Sequence, residues 1–147
     1  MGFSALKSRF SVLFVLLGLM IIGPARAETY NDADRTAIRG VIQAQMEAFA
    51  RDDAPAAFGF ATTALQTQFG SPSRFLALVR EAYAPVYRPG SVWFGALKSA
   101  NGVPAQMVHL TDSKGAAVLA LYIMERQKDG SWRIAGCQLL KDPGLDS

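Results

Sequence analysis

Residues 91–140 read SVWFGALKSANGVPAQMVHLTDSKGAAVLALYIMERQKDGSWRIAGCQLL, and three turn signals cut this stretch into four pieces of similar length. Asn101-Gly102 supplies two residues that tolerate positive φ, which the tight two-residue hairpin turn requires. Asp112-Ser113-Lys114-Gly115 and Lys128-Asp129-Gly130 carry similar turn chemistry. Four strands are therefore expected, at roughly 91–100, 103–112, 116–127 and 131–140, joined by hairpins into an antiparallel meander.

The turns also set a register. A two-residue Asn101-Gly102 loop places Ala100 opposite Val103, and so Phe94 opposite His109 and Trp93 opposite Leu110. A bulged turn at Lys128-Asp129-Gly130 places Glu125 opposite Arg133, Met124 opposite Ile134 and Leu121 opposite Cys137. The middle turn is ambiguous by one residue, and a one-residue slip exchanges the two faces. With three residues in that loop, Val108, Leu110, Ala120, Tyr122, Met124, Trp132 and Ile134 share a face with Trp93 and Leu97. That face is expected to meet the helices. The other carries Val92, Phe94, Met107, Leu119, Leu121, Ile123, Cys137 and Leu139, where a solvated sheet would be polar. A second copy of the chain is the expected cover, giving a homodimer through this face, with the C-terminal tail or a ligand as the competing cover.

Before the strands lies a helical half. Asn31 or Asp32 can cap a helix running to about Ala50, with Asp34 acidic in its first turn. Ile38, Val41, Ile42, Gln45 and Phe49 fall on one face, apolar except at Gln45. Arg51-Asp52-Asp53 ends it, and Asp53 can cap a short second helix with Pro55 in its first turn and Ala57, Phe58 and Ala61 on its buried side. A third begins at Ser71-Pro72 and carries Phe75, Leu76, Val79 and Tyr83 on one face. The run from Tyr83 to Gly90, with Pro85 and Pro89, is not expected to continue it. Helices followed by a meander give an α+β fold with the helices packed on one face of the sheet.

The N-terminus addresses the chain. Lys7 and Arg9 precede an apolar run from Phe10 to Ile22, Gly23-Pro24 breaks it, and Ala25-Arg26-Ala27 has the small residues of a cleavage site. This is the order of a secretory signal peptide, expected over residues 1–27 with cleavage before Glu28. As a helix the run would rise about 20 Å, short of the ~30 Å hydrocarbon core, so no stable membrane anchor is expected after cleavage. No Cys follows the run for lipoprotein processing, and no twin Arg precedes it. The mature chain, 28–147, is expected to be a single α+β domain, periplasmic or secreted.

Cleavage removes Lys7, Arg9 and Arg26, taking Lys+Arg from 15 to 12 against 12 Asp+Glu. The mature chain is formally neutral, which argues against a nucleic-acid partner. A single Cys137 allows no intrachain disulfide, and one His with one Cys cannot build the usual zinc site. No metal and no cofactor are expected.

Tyr83-Ala84-Pro85-Val86-Tyr87-Arg88-Pro89, Leu121-Tyr122-Ile123-Met124-Glu125-Arg126-Gln127 and Asp129-Gly130-Ser131-Trp132-Arg133-Ile134-Ala135-Gly136-Cys137 resemble segments of DUF4864, a proteobacterial family of exported proteins known as a domain of unknown function. With the order of helices and meander, the chain also resembles the nuclear-transport-factor-2-like superfamily. That resemblance implies a curved, cone-like sheet beneath the helices. It transfers no catalytic residue, because the family has no assigned activity and fold analogy alone does not specify one.

If the helices sit over the sheet in that way, Tyr83–Pro89 runs along the mouth of a cavity. Tyr83, Tyr87, Arg88, Tyr122 and Arg126 then form the candidate ligand-binding set, suited to an anionic or carbonyl-bearing small molecule. The competing structural role is rim tyrosines filling the core and an Arg88 that braces the linker. His109 has no acid placed to orient it and reads as a sheet-face histidine, not a base. Cys137 reads as a small buried hydrophobe, and Glu125 with Arg133 as a cross-strand ion pair. Asp52 and Asp53 are a helix stop and cap. Two functions remain: a non-catalytic small-molecule-binding or protein-interaction domain, and a small cofactor-free isomerase, dehydratase or hydrolase using the cavity. The second needs a carboxylate facing the cavity.

Overall fold

Asn31 caps the first helix, accepting the Asp34 backbone N–H on its side-chain oxygen at 2.8 Å. The computed structural model describes residues 30–142, so the expected signal peptide lies outside the described residues. Helix α1 spans Asp32–Ala50 and buries Ile38, Ile42, Gln45 and Phe49 along the expected stripe. Asp53 caps α2, Ala54–Gly59, through the Ala56 N–H, with Pro55 in the first turn. Two short helices go beyond the sequence reading. Thr62 caps α3, Thr63–Phe69, and α5, Ala84–Tyr87, forms one turn with Pro85 near its start. Between them α4, Pro72–Ala82, starts at the Ser71 cap and buries Phe75, Leu76 and Val79. The backbone from Tyr83 to Tyr87 thus coils once instead of extending, since a proline in a first helical turn gives up no N–H the helix needs.

Strands β1 (Ser91–Ala100), β2 (Val103–Thr111), β3 (Ala117–Arg126) and β4 (Trp132–Lys141) form one antiparallel sheet in the order of the chain. The fold is α+β, with the helices on one sheet face. Three residues occupy the middle loop, with Thr111 paired to Ala117 and Asp112 N–H bonded to Ala116 O. That choice sends Val108, Leu110, Ala120, Tyr122, Met124, Trp132 and Ile134 into the core beneath α1 and α4. Among the described residues no helix is long and apolar enough to cross a membrane.

Two β-bulges alter the expected register, and both sit at a strand glycine. In β1, Leu97 pairs with Gln106 as the hairpin predicts, but Phe94 pairs with Val108 instead of His109, so Gly95 and Ala96 together oppose Met107. Gln106 is fully buried and its amide donates to Gly95 O at 3.0 Å, Ala96 O at 3.4 Å and Met107 O at 2.9 Å, satisfying carbonyls the ladder leaves loose. A Cβ on Gly95 would stand 2.8 Å from His109 Nε2, so no larger residue fits that crossing unshifted. In β4, Met124 still pairs with Ile134, but Ile123 pairs with Gly136 and Leu121 with Gln138, leaving Ala135 as the extra residue.

Each bulge reverses the faces of the strand beyond it. Phe94 joins Leu97 against the core, and Trp93 is turned outward, 65% exposed. Cys137, now opposite Tyr122, and Leu139, opposite Ala120, also pack on the core side. Val92, opposite Leu110, lies with Met46 and Phe94 in a groove beside α1. The expected second face therefore loses Val92, Phe94, Cys137 and Leu139. It keeps Met107, Leu119, Leu121 and Ile123, and gains Trp93 and Leu140. Glu125 and Arg133 are register partners, but the guanidinium reaches Ala61 O at 3.5 Å and forms no ion pair with Glu125.

Candidate functional site

The helices do not close completely on the sheet. Between α1, α3, α4, α5 and the bulged part of β4 lies a cavity of about 300 Å³. Phe49, Phe75, Val79, Val86 and Ile134 make its apolar wall, and Leu65, Gln68, Leu78 and Tyr83 its more exposed side. The β4 bulge opens it. Ala135 and Gly136 line it with backbone and a single methyl group, and Ile134, on the outer edge of the sheet, bonds the 60–62 loop through both its N–H and its C=O. Thr62 N–H donates to Ile134 O at 2.9 Å and Ile134 N–H to Phe60 O at 2.8 Å.

The polar groups here are few and uncharged. Tyr83 hydroxyl donates to Cys137 O at 3.3 Å, fixing the ring at the rim. Gln45, 3% exposed, donates from Nε2 to Ala57 O at 3.1 Å. Tyr122 hydroxyl is sealed beside the Cys137 thiol and makes no hydrogen bond of normal geometry. Burial raises the Tyr122 phenol well above its ordinary value and pushes the Cys137 thiol up to about 12. Both are neutral near pH 7, and a thiol held protonated is a poor nucleophile. Among the described residues, no Asp, Glu, His, Lys or Arg lines the cavity.

The structure brings Tyr83 and Tyr122 to this cavity and places the other three candidates elsewhere. Tyr87 and Arg88 belong to a surface cluster around Asp52, a non-glycine residue at φ 56° that closes the end of α1. Tyr87 hydroxyl donates to Asp52, the Arg80 guanidinium pairs with the same carboxylate at 2.8 Å and Arg88 at 3.4 Å, and both cations lie over the Tyr87 ring. The Tyr87 hydrogen bond, then Arg80, holds the Asp52 carboxyl below its usual value. This cluster ties α1 to α4 and α5. Arg126 pairs with Asp34 at 2.5 Å and lies over Trp132 at 4.5 Å, tying β3 to α1.

His109 does have an acid to orient it, contrary to the sequence reading. Asp142 follows β4, reaches across β3 on the outer face and places Oδ2 2.5 Å from His109 Nδ1, while Trp93 stacks on the imidazole at 4.7 Å. The pair lies on the sheet face opposite the cavity. Asp142 was missed because only the β4 bulge brings residues 137–142 into that phase. Gln45 was visible as the one polar break in the α1 stripe, and its place in the cavity was not. Among the described residues no group of three or more His, Cys, Asp or Glu is placed to hold a metal ion.

Residues 31–147 match the model of a family described as Domain of unknown function (DUF4864). The chain belongs to this family. Among solved structures, it is similar to the NTF-2 like protein of unknown function from Burkholderia xenovorans LB400, with 16% identity, 74% of this chain and 86% of that one covered, and a TM-score of 0.45. No curated protein matches the sequence.

Proposed function

We propose that this DUF4864 chain is a non-catalytic binding protein that holds one small molecule in the cavity between helices and sheet. The observation that carries the reading is the lining: about 300 Å³ walled mainly by aliphatic and aromatic side chains, with a few neutral polar groups. An isomerase, dehydratase or hydrolase working there would need a base or acid within reach of the ligand, and among the described residues the lining supplies none. An uncharged fluorescent naphthalene should be taken up saturably at one site per chain. Leu65→Trp, which fills the rim, should abolish uptake while leaving the fold intact. Absence of saturable uptake by the native chain up to the probe's solubility would refute the reading.

The setting proposed for this activity is the periplasm or extracellular medium, after cleavage before Glu28, as the apolar run and Ala25-Arg26-Ala27 support. An intact mass beginning at Met1 in the native host would rule this out. A homodimer through the outer sheet face completes the proposal. Four strands of about ten residues present roughly 600 Å² per copy, hence about 1,200 Å² between two copies, the lower bound for a stable interface. Trp93 at 65% and Leu140 at 41% exposure stand proud of that face. Light scattering at micromolar concentration should give twice the chain mass, and Leu121→Lys should give folded monomers. A native monomer would refute the pairing.

A further inference from the structure

The cavity holds one side-chain atom whose hydrogen bonding is unfinished. Gln45 interrupts an otherwise apolar helical stripe, and the fold uses only half of its amide. Nε2 is committed to Ala57 O, which fixes which end of the amide is which and turns Oε1 away from that carbonyl. Among the described residues nothing donates to Oε1, yet Oε1 is not one of the polar atoms sealed without a partner, which are Gln106 Oε1 and Tyr122 hydroxyl. A side chain 3% exposed whose oxygen is neither bonded nor sealed opens onto the cavity that it lines. A buried amide oxygen is a strong acceptor, and leaving it unpaired is unfavourable.

Resting on the proposal that the cavity binds a ligand, we infer that Gln45 selects it: an uncharged, mainly apolar molecule that brings one O–H or N–H donor to Gln45 Oε1. Charge is disfavoured because among the described residues no opposite charge lines the cavity, and the thiol and phenol there stay protonated. An acceptor-only ligand gains nothing at this atom. Its carbonyl would face another oxygen, Tyr83 hydroxyl is already donating, and Tyr122 hydroxyl is sealed. Size sets the remaining limit, since a volume of about 300 Å³ suits one or two fused rings with a short substituent.

Two probes of similar shape separate the donor from the apolar body: 2-naphthol carries the O–H, and 2-methoxynaphthalene has it capped. The native chain should bind 2-naphthol about five- to tenfold more tightly, the range of one neutral hydrogen bond made inside a protein. Gln45→Met keeps the length of the side chain and removes the amide, so it should bind both probes equally, with 2-methoxynaphthalene affinity retained. Equal affinities in the native chain would overturn the donor inference and leave the binding proposal standing. No saturable binding of either probe would overturn both. A preference surviving in Gln45→Met would overturn the assignment to Gln45. If that variant does not fold, the Gln45 side-chain amide resonances of the native protein decide: they should shift with 2-naphthol and not with 2-methoxynaphthalene, and the absence of that difference refutes the inference.

Discussion

The two tryptophans test the register of the whole sheet, because the bulge in β1 puts them on opposite faces. Trp132 is 6% exposed, meets Tyr30 edge-on at 6.3 Å and carries the Arg126 guanidinium 4.5 Å above its ring. A tryptophan buries roughly 150–250 Å² on folding, or about 4–6 kcal/mol at ~25 cal/mol per Å² as an upper bound. Allowing for the methyl group that alanine retains and for partial collapse, Trp132→Ala should destabilise the fold by about 3–5 kcal/mol. Trp93, at 65% exposure, has removed only about a third of its surface from water, so Trp93→Ala should cost under about 1.5 kcal/mol. Urea unfolding measures both. With a slope of about 1.5–2 kcal/mol per molar, typical of a small domain, the two midpoints should differ by more than about 1 M. The comparison belongs at concentrations where the chain is monomeric, because loss of a dimer contact would add to the Trp93 effect. Equal shifts, or a larger one for Trp93→Ala, would mean that the bulge in β1 is absent and that Trp93 faces the core with Trp132.

Alkali should unfold the protein partly through Cys137. The free thiol titrates near 9.0 and the folded one at about 12, so between them the unfolded chain has released a proton that the folded chain keeps, and stability falls as pH rises, by up to about 1.4 kcal/mol per pH unit. Cys137→Ala should flatten the fall in urea midpoint between about pH 9 and 10; an equally steep fall would show that the thiol titrates normally when folded. At the acid end Asp52 acts with the opposite sign. Its folded carboxyl is held below the ordinary 3.8, so its contribution is present above that value and is lost as pH falls through the lowered one. Asp52→Asn should therefore show a shallower loss of stability below about pH 4, and an unchanged acid limb would refute a role for the Tyr87–Arg80 cluster.

The hairpins were legible because their turns are short and chemically explicit. Asn101-Gly102 and Lys128-Asp129-Gly130 fix the pairing next to them, and pairing there is as expected, from Ala100–Val103 to Leu97–Gln106 and from Arg126–Trp132 to Met124–Ile134. The error grows with distance from the turn, since one inserted residue is enough to reverse a face. Gly95 and Gly136 are the signals that could have located both bulges. A glycine inside a strand has no side chain to pack and commonly marks a bulge or a close approach. Buried Gln106 is a second clue for β1, because an amide in an apolar strand must find backbone groups to bond. No such mark announced α3. Thr63–Phe69 buries no residue below the accessibility of the true core, so its sequence has no clear apolar stripe. Its existence depends on the Thr62 cap and on Gln66, whose amide bonds Phe58 O and Ala61 O.

The bulge in β4 links the fold to the proposed function more directly than any one side chain. Were Ala135 paired in a regular ladder instead of bulged, Cys137 and Leu139 would face outward, and the strand's bulkier residues would alternate differently beneath α4. With the bulge, Ala135, Gly136 and Cys137 line the cavity floor, none of them bulky. Just before the bulge, Ile134 turns its N–H and C=O to the open edge of the sheet, where they hold the 60–62 loop between α2 and α3. The bulge also phases the end of β4 so that Asp142 meets His109 on the far face. One inserted residue thus makes room on the cavity side and sets a His109–Asp142 contact on the other. Pairing Ala135 with Ile123 in a regular ladder would do more than create a packing defect: it would set Gly136 opposite Tyr122 and turn Cys137 outward, opposite Leu121. It would also carry Asp142 out of reach of His109. The volume that admits a ligand and the composition of the surface proposed for pairing are therefore set by the same backbone irregularity.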